Sequence, residues 1–319
     1  MSERSGGCFR RGCFGCMAFV GLFFLGVALL AGVSFFQGGG AEVRERAQVE
    51  HSLPAPVSFV PSGDQLQSDS TPIELPEGEI GRVVLDVSMT NFDIVPAAAG
   101  TSLRLEADYD SNAFRLEESF QTNGERGWSY ELTFDSRRTF NFFFNNEGDN
   151  RLTLYLPVDI PIVLVGKVGI GASEMRLGGL WIQEIDLDVG IGEHEIDFDQ
   201  PLREPMQRLF LEASVGELRV HQIGNASPRT VEVEHSIGEI FVDLDGEWRN
   251  DSDITVQSSI GQCTVGMPSE DIRLDVRSVS TTIGESATAA ASRRNAAPES
   301  APTVSLTVSH SIGEVRFAR

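Results

Sequence analysis

The residues that could do chemistry recur at one place in a repeated phrase. Its clearest copies are EHSIGEIFVDL (Glu234 to Leu244), EASVGELRVHQ (Glu212 to Gln222), QSSIGQCTVGM (Gln257 to Met267) and SHSIGEVRF (Ser309 to Phe317). The column after the pivot Gly reads Ala172, Glu193, Glu217, Glu239, Gln262, Glu285 and Glu314. If copies stack at the usual strand spacing of about 4.8 Å, these carboxylates form an outward row. Neighbouring pairs would repel by roughly 0.9 kcal/mol even at the dielectric of water. Either solvent and salt absorb that cost, or a cation such as Ca²⁺ bridges the row. Glu193, Glu217, Glu239, Glu285 and Glu314 are therefore the candidate metal row, against the plainer reading of a solvated acidic edge. The Gly-Gly-x-Gly-x-Asp nonapeptide of calcium β-rolls is missing.

The phrase HSIGE occurs twice and gives His235 and His310 the same position. By the alternation both face inward, as does His194, and core filling is the expected role. Counted as three coils apart, His235 and His310 would be separated by about 14 Å and could not share a metal. Cys263 also counts as inward, where a thiol is usually inert. The pairs Asp186/Asp188 and Asp243/Asp245 fall on outward faces. Polysaccharide-cleaving β-helices use such pairs beside a base, but here they recur as solvent faces do, and Lys167 is the one lysine. The glycines Gly166, Gly169 and Gly171 open no helix, so no nucleotide fingerprint is present. No catalytic residue and no cofactor is assigned. In RRTFNFFFNN (Arg137 to Asn146), Phe140, Phe142 and Phe144 would share one face. Phe143 on the other face makes the four a candidate partner contact.

The elements that must position these residues begin with a membrane segment. No charge occurs from Gly12 to Ala41, and Phe14 to Phe36 is apolar apart from Ser34. That run spans roughly 35 Å as a helix, enough for a bilayer core. A cleavable signal has a shorter apolar region and a small-x-small site. Arg4, Arg10 and Arg11 precede the run, which puts the N-terminus in the cytoplasm. The expectation is a cytoplasmic segment 1–12, a transmembrane helix 13–36, a flexible linker 37–72 and an extracytoplasmic repeat domain 73–319 with a mobile loop 286–302. Cys8, Cys13 and Cys16 fall at the membrane edge. The net charge of −22 excludes nucleic acid as a natural partner. The partners expected are other envelope or membrane proteins, and the bilayer through residues 13–36.

The repeat sets the fold. Numbered by the apolar residue before the Gly or its equivalent, the copies are Met89, Ile170, Ile191, Val215, Ile237, Ile260, Ile283 and Ile312. From Ile170 the spacings are 21, 24, 22, 23, 23 and 29 residues, as in repeat architectures whose units bury their faces by stacking. In one copy Val231, Val233, His235 and Ile237 alternate on one face, and then Ile240, Val242 and Leu244 take it over. Such a slip would turn later side chains outward unless the backbone turns or bulges at the Gly, which tolerates φ > 0. A parallel β-solenoid satisfies the pattern with Gly-Glu as a corner. A meander satisfies it with Gly-Glu as a hairpin turn. The seven-residue stretch Gly246 to Ser252 supplies a second corner and favours the solenoid. Between the first two copies, SLRLEADYD, AFRLEESFQ, WSYELTFD and RLTLYLPVDI alternate as half-buried strands, expected as an inserted antiparallel sheet.

The passage LYLPVDIPIVLVGKVGIGASEMRLGGLWIQEIDLDVGIGEHEIDF (Leu154 to Phe198), behind an N-terminal anchor, resembles the toastrack domains of bacterial envelope proteins. That group includes cell-wall-active-antibiotic response proteins and putative adhesins. The resemblance covers about residues 73–319 and carries no invariant functional residue. It implies a β-helix-like domain of the cell envelope that senses stress or organises partners. The fold expected is thus all-β: a β-solenoid repeat domain with an inserted antiparallel sheet, after one transmembrane helix. The function expected is a non-catalytic, membrane-anchored sensing or scaffolding module. An adhesin or glycan-binding protein and a polysaccharide-acting enzyme are the alternatives.

Overall fold

The computed structural model describes residues 46–52, 80–122, 127–137, 150–286 and 297–318. The described chain is nearly all β, and its strands join one large sheet. Short strands come first: β1 (Arg46–Ser52), β2 (Gly81–Val87), β3 (Asn91–Pro96), β4 (Arg104–Asp110), β5 (Phe114–Thr122), β6 (Trp128–Ser136), β7 (Arg151–Leu156), β8 (Ile162–Val168) and β9 (Gly171–Arg176). Long strands follow: β10 (Ile182–Asp197), β11 (Arg208–His221), β12 (Thr230–Asp243), β13 (Ser252–Gly266), β14 (Arg273–Ser286) and β15 (Thr303–Ala318). A single helical turn, α1 (Ile223–Ala226), lies between β11 and β12.

Each long strand runs through its own pivot Gly and pairs in parallel with its spatial neighbours, Ile191 beside Val215 beside Ile237 beside Ile260. Gly-Glu is therefore a corner within a coil, and the hairpin alternative is excluded. The corner needs glycine for two reasons. At Gly238 and Gly261 φ is +132°, which L side chains rarely adopt. A Cβ on Gly238 would also sit 1.9 Å from the carbonyl oxygen of Gly216, and one on Gly261 1.8 Å from that of Gly238. The glycines thus form a column in which each backbone leans on the one before.

Before and after the corner, alternate side chains turn inward. In the β12 coil these are Val231, Val233 and His235, then Ile240, Val242 and Leu244, all buried in one core. Full burial of each aliphatic is worth about 1.5–3 kcal/mol, so every coil is held chiefly by its stack. A second corner closes the coil. The Asn225 amide donates to the Phe198 carbonyl (2.7 Å) and its Oδ1 accepts from Glu247 N (2.9 Å). The Trp248 indole donates to the Leu244 carbonyl (2.8 Å).

Three expectations change. Only part of the insertion is antiparallel. β6 and β7 lie parallel and in register with β2 and β3, and so form one more coil. β5 and β4 run antiparallel on that coil, and β1 on β4. Period-two alternation reports a half-buried strand but not its partner's direction, and the sequence between β6 and β7 contains no Gly-Glu pair to mark a corner. The antiparallel strands close this end over Tyr109, Phe114 and Phe134, with Phe114 stacked on Phe134 at 5.2 Å.

The second change is in coil order. β15 pairs with both β13 and β14, so the last strand in sequence lies inside the last but one. His235 and His310 are therefore two strands apart, with Ser258 between, and not three. Third, β1 falls within 37–72, the expected linker, where Ala47 and Val49 alternate with polar residues over too short a run to stand out. Of the expected loop 286–302, residues 297–302 hold a turn, Ala301 N donating to the Pro298 carbonyl (3.0 Å), and Arg273 donates to the same carbonyl. Among the described residues no helix is long and apolar enough to cross a membrane, and segment 13–36 lies outside them.

Candidate partner-binding edge

The residue before each pivot Gly does not point where the alternation puts it. Ile237 was expected on the inward face with His235, yet it stands exposed on the outside of the bend. The inside of the bend is filled by His235 and Ile240, so the residue at the apex has only the outer side to occupy. The same holds at every regular corner. Ile170, Ile191, Val215, Ile237, Ile260, Ile312 and Ile283 line up in that spatial order, with exposures from 39% to 62%. Among the described residues, Ile80 is the one other exposed large hydrophobic. Scattered exposed aliphatics are ordinary on a protein surface, whereas a continuous line of them marks a contact. At about 4.8 Å per strand the ridge is about 29 Å long. Met89 holds the equivalent place in the β2–β3 coil but packs against the core.

Two further rows accompany the ridge. On one side is a column of small residues, Gly169, Gly190, Ser214, Ser236, Ser259, Ser311 and Thr282. On the other is the candidate cation row. Glu193, Glu239 and Glu285 are exposed and have no ion-pair partner within hydrogen-bonding reach among the described residues. Glu217 pairs with Arg219. Glu314 takes a two-pronged contact from Arg316, at 2.6 Å from each of Nε and Nη2, which lowers the Glu314 pKa. Gln262 interrupts the row and Ala172 ends it, so it is a broken line of charge. Among the described residues no three His, Cys, Asp or Glu side chains converge as metal ligands.

The other candidates sit as follows. Asp186 and Glu184 share Arg208, both at 3.1 Å, and Asp188 lies 3.5 Å from Lys167. Asp243 Oδ1 accepts from Asp245 N (3.1 Å) and so caps the second corner. Cys263 is buried, and burial pushes its thiol up to about 12. Phe140, Phe142, Phe143 and Phe144 lie outside the described residues, as do Cys8, Cys13 and Cys16.

His194, His235 and His310 are all buried in the core. His194 Nδ1 meets Ser173 Oγ at 2.9 Å, and burial pushes its pKa down to about 4. Burial also lowers that of His235, against a backbone hydrogen bond to Gly216 and with repulsion from His310. The unfolded chain protonates these rings near 6.5, while folded His194 resists until about 4. Between those values the unfolded state binds more protons, so stability is full above about 6.5 and falls as pH drops. For His194 the loss reaches about 3 kcal/mol near pH 4. Urea midpoints at pH 7 and pH 4.5 measure it. The fall with acid should be smaller in His194→Leu, since Leu218 and Ile240 fill the same position in neighbouring coils. Equal pH dependence in the two chains would show that this ring does not contribute.

The family described as the N-terminal domain of toast_rack, DUF2154, matches residues 62–221, half of the chain. No curated protein matches. Similar solved structures include a putative cell adhesion protein from Clostridium sporogenes, at 11% identity and TM-score 0.42, covering 86% of this chain and 99% of that one. A putative adhesin from Bacteroides fragilis has 11% identity and TM-score 0.36, over 86% and 98% of the two chains. A putative lipid binding protein from Parabacteroides distasonis has 10% identity and TM-score 0.29, over 86% and 97%. From β2 to β11 the described coils fall within the matched stretch, and the same Gly-cornered coil continues through β15. The chain belongs to the toast_rack family.

Proposed function

We propose that this protein is a non-catalytic module of the cell envelope, held in the membrane by residues 13–36, which senses or organises other envelope proteins by binding them along its ridge. The observation that carries the reading is the line of exposed aliphatics from Ile170 to Ile283. Keeping such side chains in water at each Gly-cornered coil loses about 25 cal/mol for each Å² that burial would remove, and a solvated corner has no need of them. The outward acid pairs support a non-catalytic reading, because Asp186 is held by Arg208 and Asp243 caps a turn.

A photoreactive side chain placed at position 237 of the full chain in intact cells tests the proposal. Protein adducts should form at 237 and at 215 but not at Thr255, an outward position in the middle of a strand. Equal labelling at all three would remove the ridge as the binding edge. The membrane anchor predicts that the chain stays with the membrane after alkaline extraction. An adhesin or glycan-binding role is the second reading, favoured by the row of exposed hydroxyls on Ser236, Ser259, Ser311 and Thr282 beside the ridge. It predicts adducts at 237 that carry saccharide.

A further inference from the structure

We propose that the stretch of ridge from Ile191 to Ile237 docks a basic amphipathic α-helix of a partner polypeptide. The inference rests on the ridge being a binding edge and names the partner's chemistry. Along this stretch acids line both flanks. Asp188, Glu212 and Glu234 occupy one outward row, and Glu193, Glu217 and Glu239 the other. Against these six carboxylates stand two adjacent cations, Lys167 beside Asp188 and Arg219 beside Glu217, with Arg316 further along the second row. Past Ile237 the first row changes to Gln257, Ser309 and Ser280, so the acid-lined part is confined to three coils.

The charge decides between occupants. A second copy laid on this stretch would bring carboxylates against carboxylates, and an anionic lipid surface would be repelled likewise. A segment with an apolar stripe between Lys or Arg residues meets both features at once. The spacing decides its conformation. Two ridge steps, from Ile191 to Ile237, span about 9.6 Å at the strand repeat. Helix positions i, i+3 and i+7 span about 10.5 Å at 1.5 Å per residue. Extended positions i, i+2 and i+4 span about 13 Å, too long to stay in step. The small column Gly190, Ser214 and Ser236 leaves a lane beside the aliphatics for the helix backbone to approach.

The test uses the full chain in detergent micelles with a photoreactive side chain at position 215. Its probes are a designed helix with a leucine stripe flanked by lysines and a twin in which glutamate replaces each lysine. The lysine helix should crosslink at 215 and the glutamate twin should not, while a photoreactive group at 255 captures neither. Replacing Asp188→Asn, Glu212→Gln and Glu234→Gln together should lower capture of the lysine helix about tenfold at low salt, and the difference should shrink at high salt. Equal capture of both peptides, or of neither, overturns the inference, as does a crosslinked homodimer or lipid adduct at 215 in their place. Protein adducts at 237 in cells that the lysine helix fails to displace would overturn this inference while leaving the binding edge standing.

Discussion

Gly238→Ala is expected to lose at least about 4 kcal/mol of stability, enough to abolish a folded C-terminal half. The new methyl group would lie 1.9 Å from the Gly216 carbonyl oxygen, an atom of a hydrogen-bonded backbone with no freedom to move aside. It would also have to adopt φ near +132°. Since each coil supports the next, the defect should spread from β12 toward β15. Gly100→Ala is the matched control. Its φ is +73°, but a Cβ there meets nothing within 4 Å, so only the left-handed cost of about 1–2 kcal/mol applies. Urea unfolding followed by circular dichroism reads both. Similar midpoints for the two variants would show that the close approach at the corner is not what demands glycine.

Removing β15 should have the other large effect. Deleting residues 303–319 takes away the strand that β13 and β14 both pair with. It also removes Val304, Leu306, Val308 and Val315 from the core. β14 is left without a partner, and the β13 coil becomes the open end. Cys263 reports this directly. In the intact chain its thiol is covered and pushed up to about 12, so alkylation at neutral pH should leave it unmodified. After the deletion, Cys263 should react at a rate approaching that of a free thiol, read by mass mapping of its peptide. A chain that ends before β14 should behave the same way. An unmodified Cys263 in the shortened chain would mean that β14 moves in to replace β15.

Part of the site was legible in the residues alone. The Gly-Glu phrase identified the corner, because only glycine fits a positive φ beneath a neighbouring backbone. The count of inward side chains placed His194, His235, His310 and Cys263 in the core, where the structure has them. The column of glutamates was equally visible, although its pairing to Arg219 and Arg316 depends on side chains two residues further on turning back along the same face.

The ridge is the part that alternation places on the wrong side. Alternation assigns Ile237 to the same side as His235, and an aliphatic residue in a β phrase is naturally counted as core. What could have raised the question is that Val231, Val233 and Ile240, Val242 already supply the inward side chains of both arms, leaving Ile237 over at the apex.

The sequence by itself determined the repeat, the glycine corners and which residues of each arm turn inward. These are local properties of a strand and need no knowledge of its neighbour. Only the tertiary structure decided that β6 and β7 form a parallel coil, that β15 lies between β13 and β14, and that the aliphatic at each corner faces water. Those outcomes depend on which backbones share hydrogen bonds and on which side of a bend has room, and neither is encoded within any single repeat.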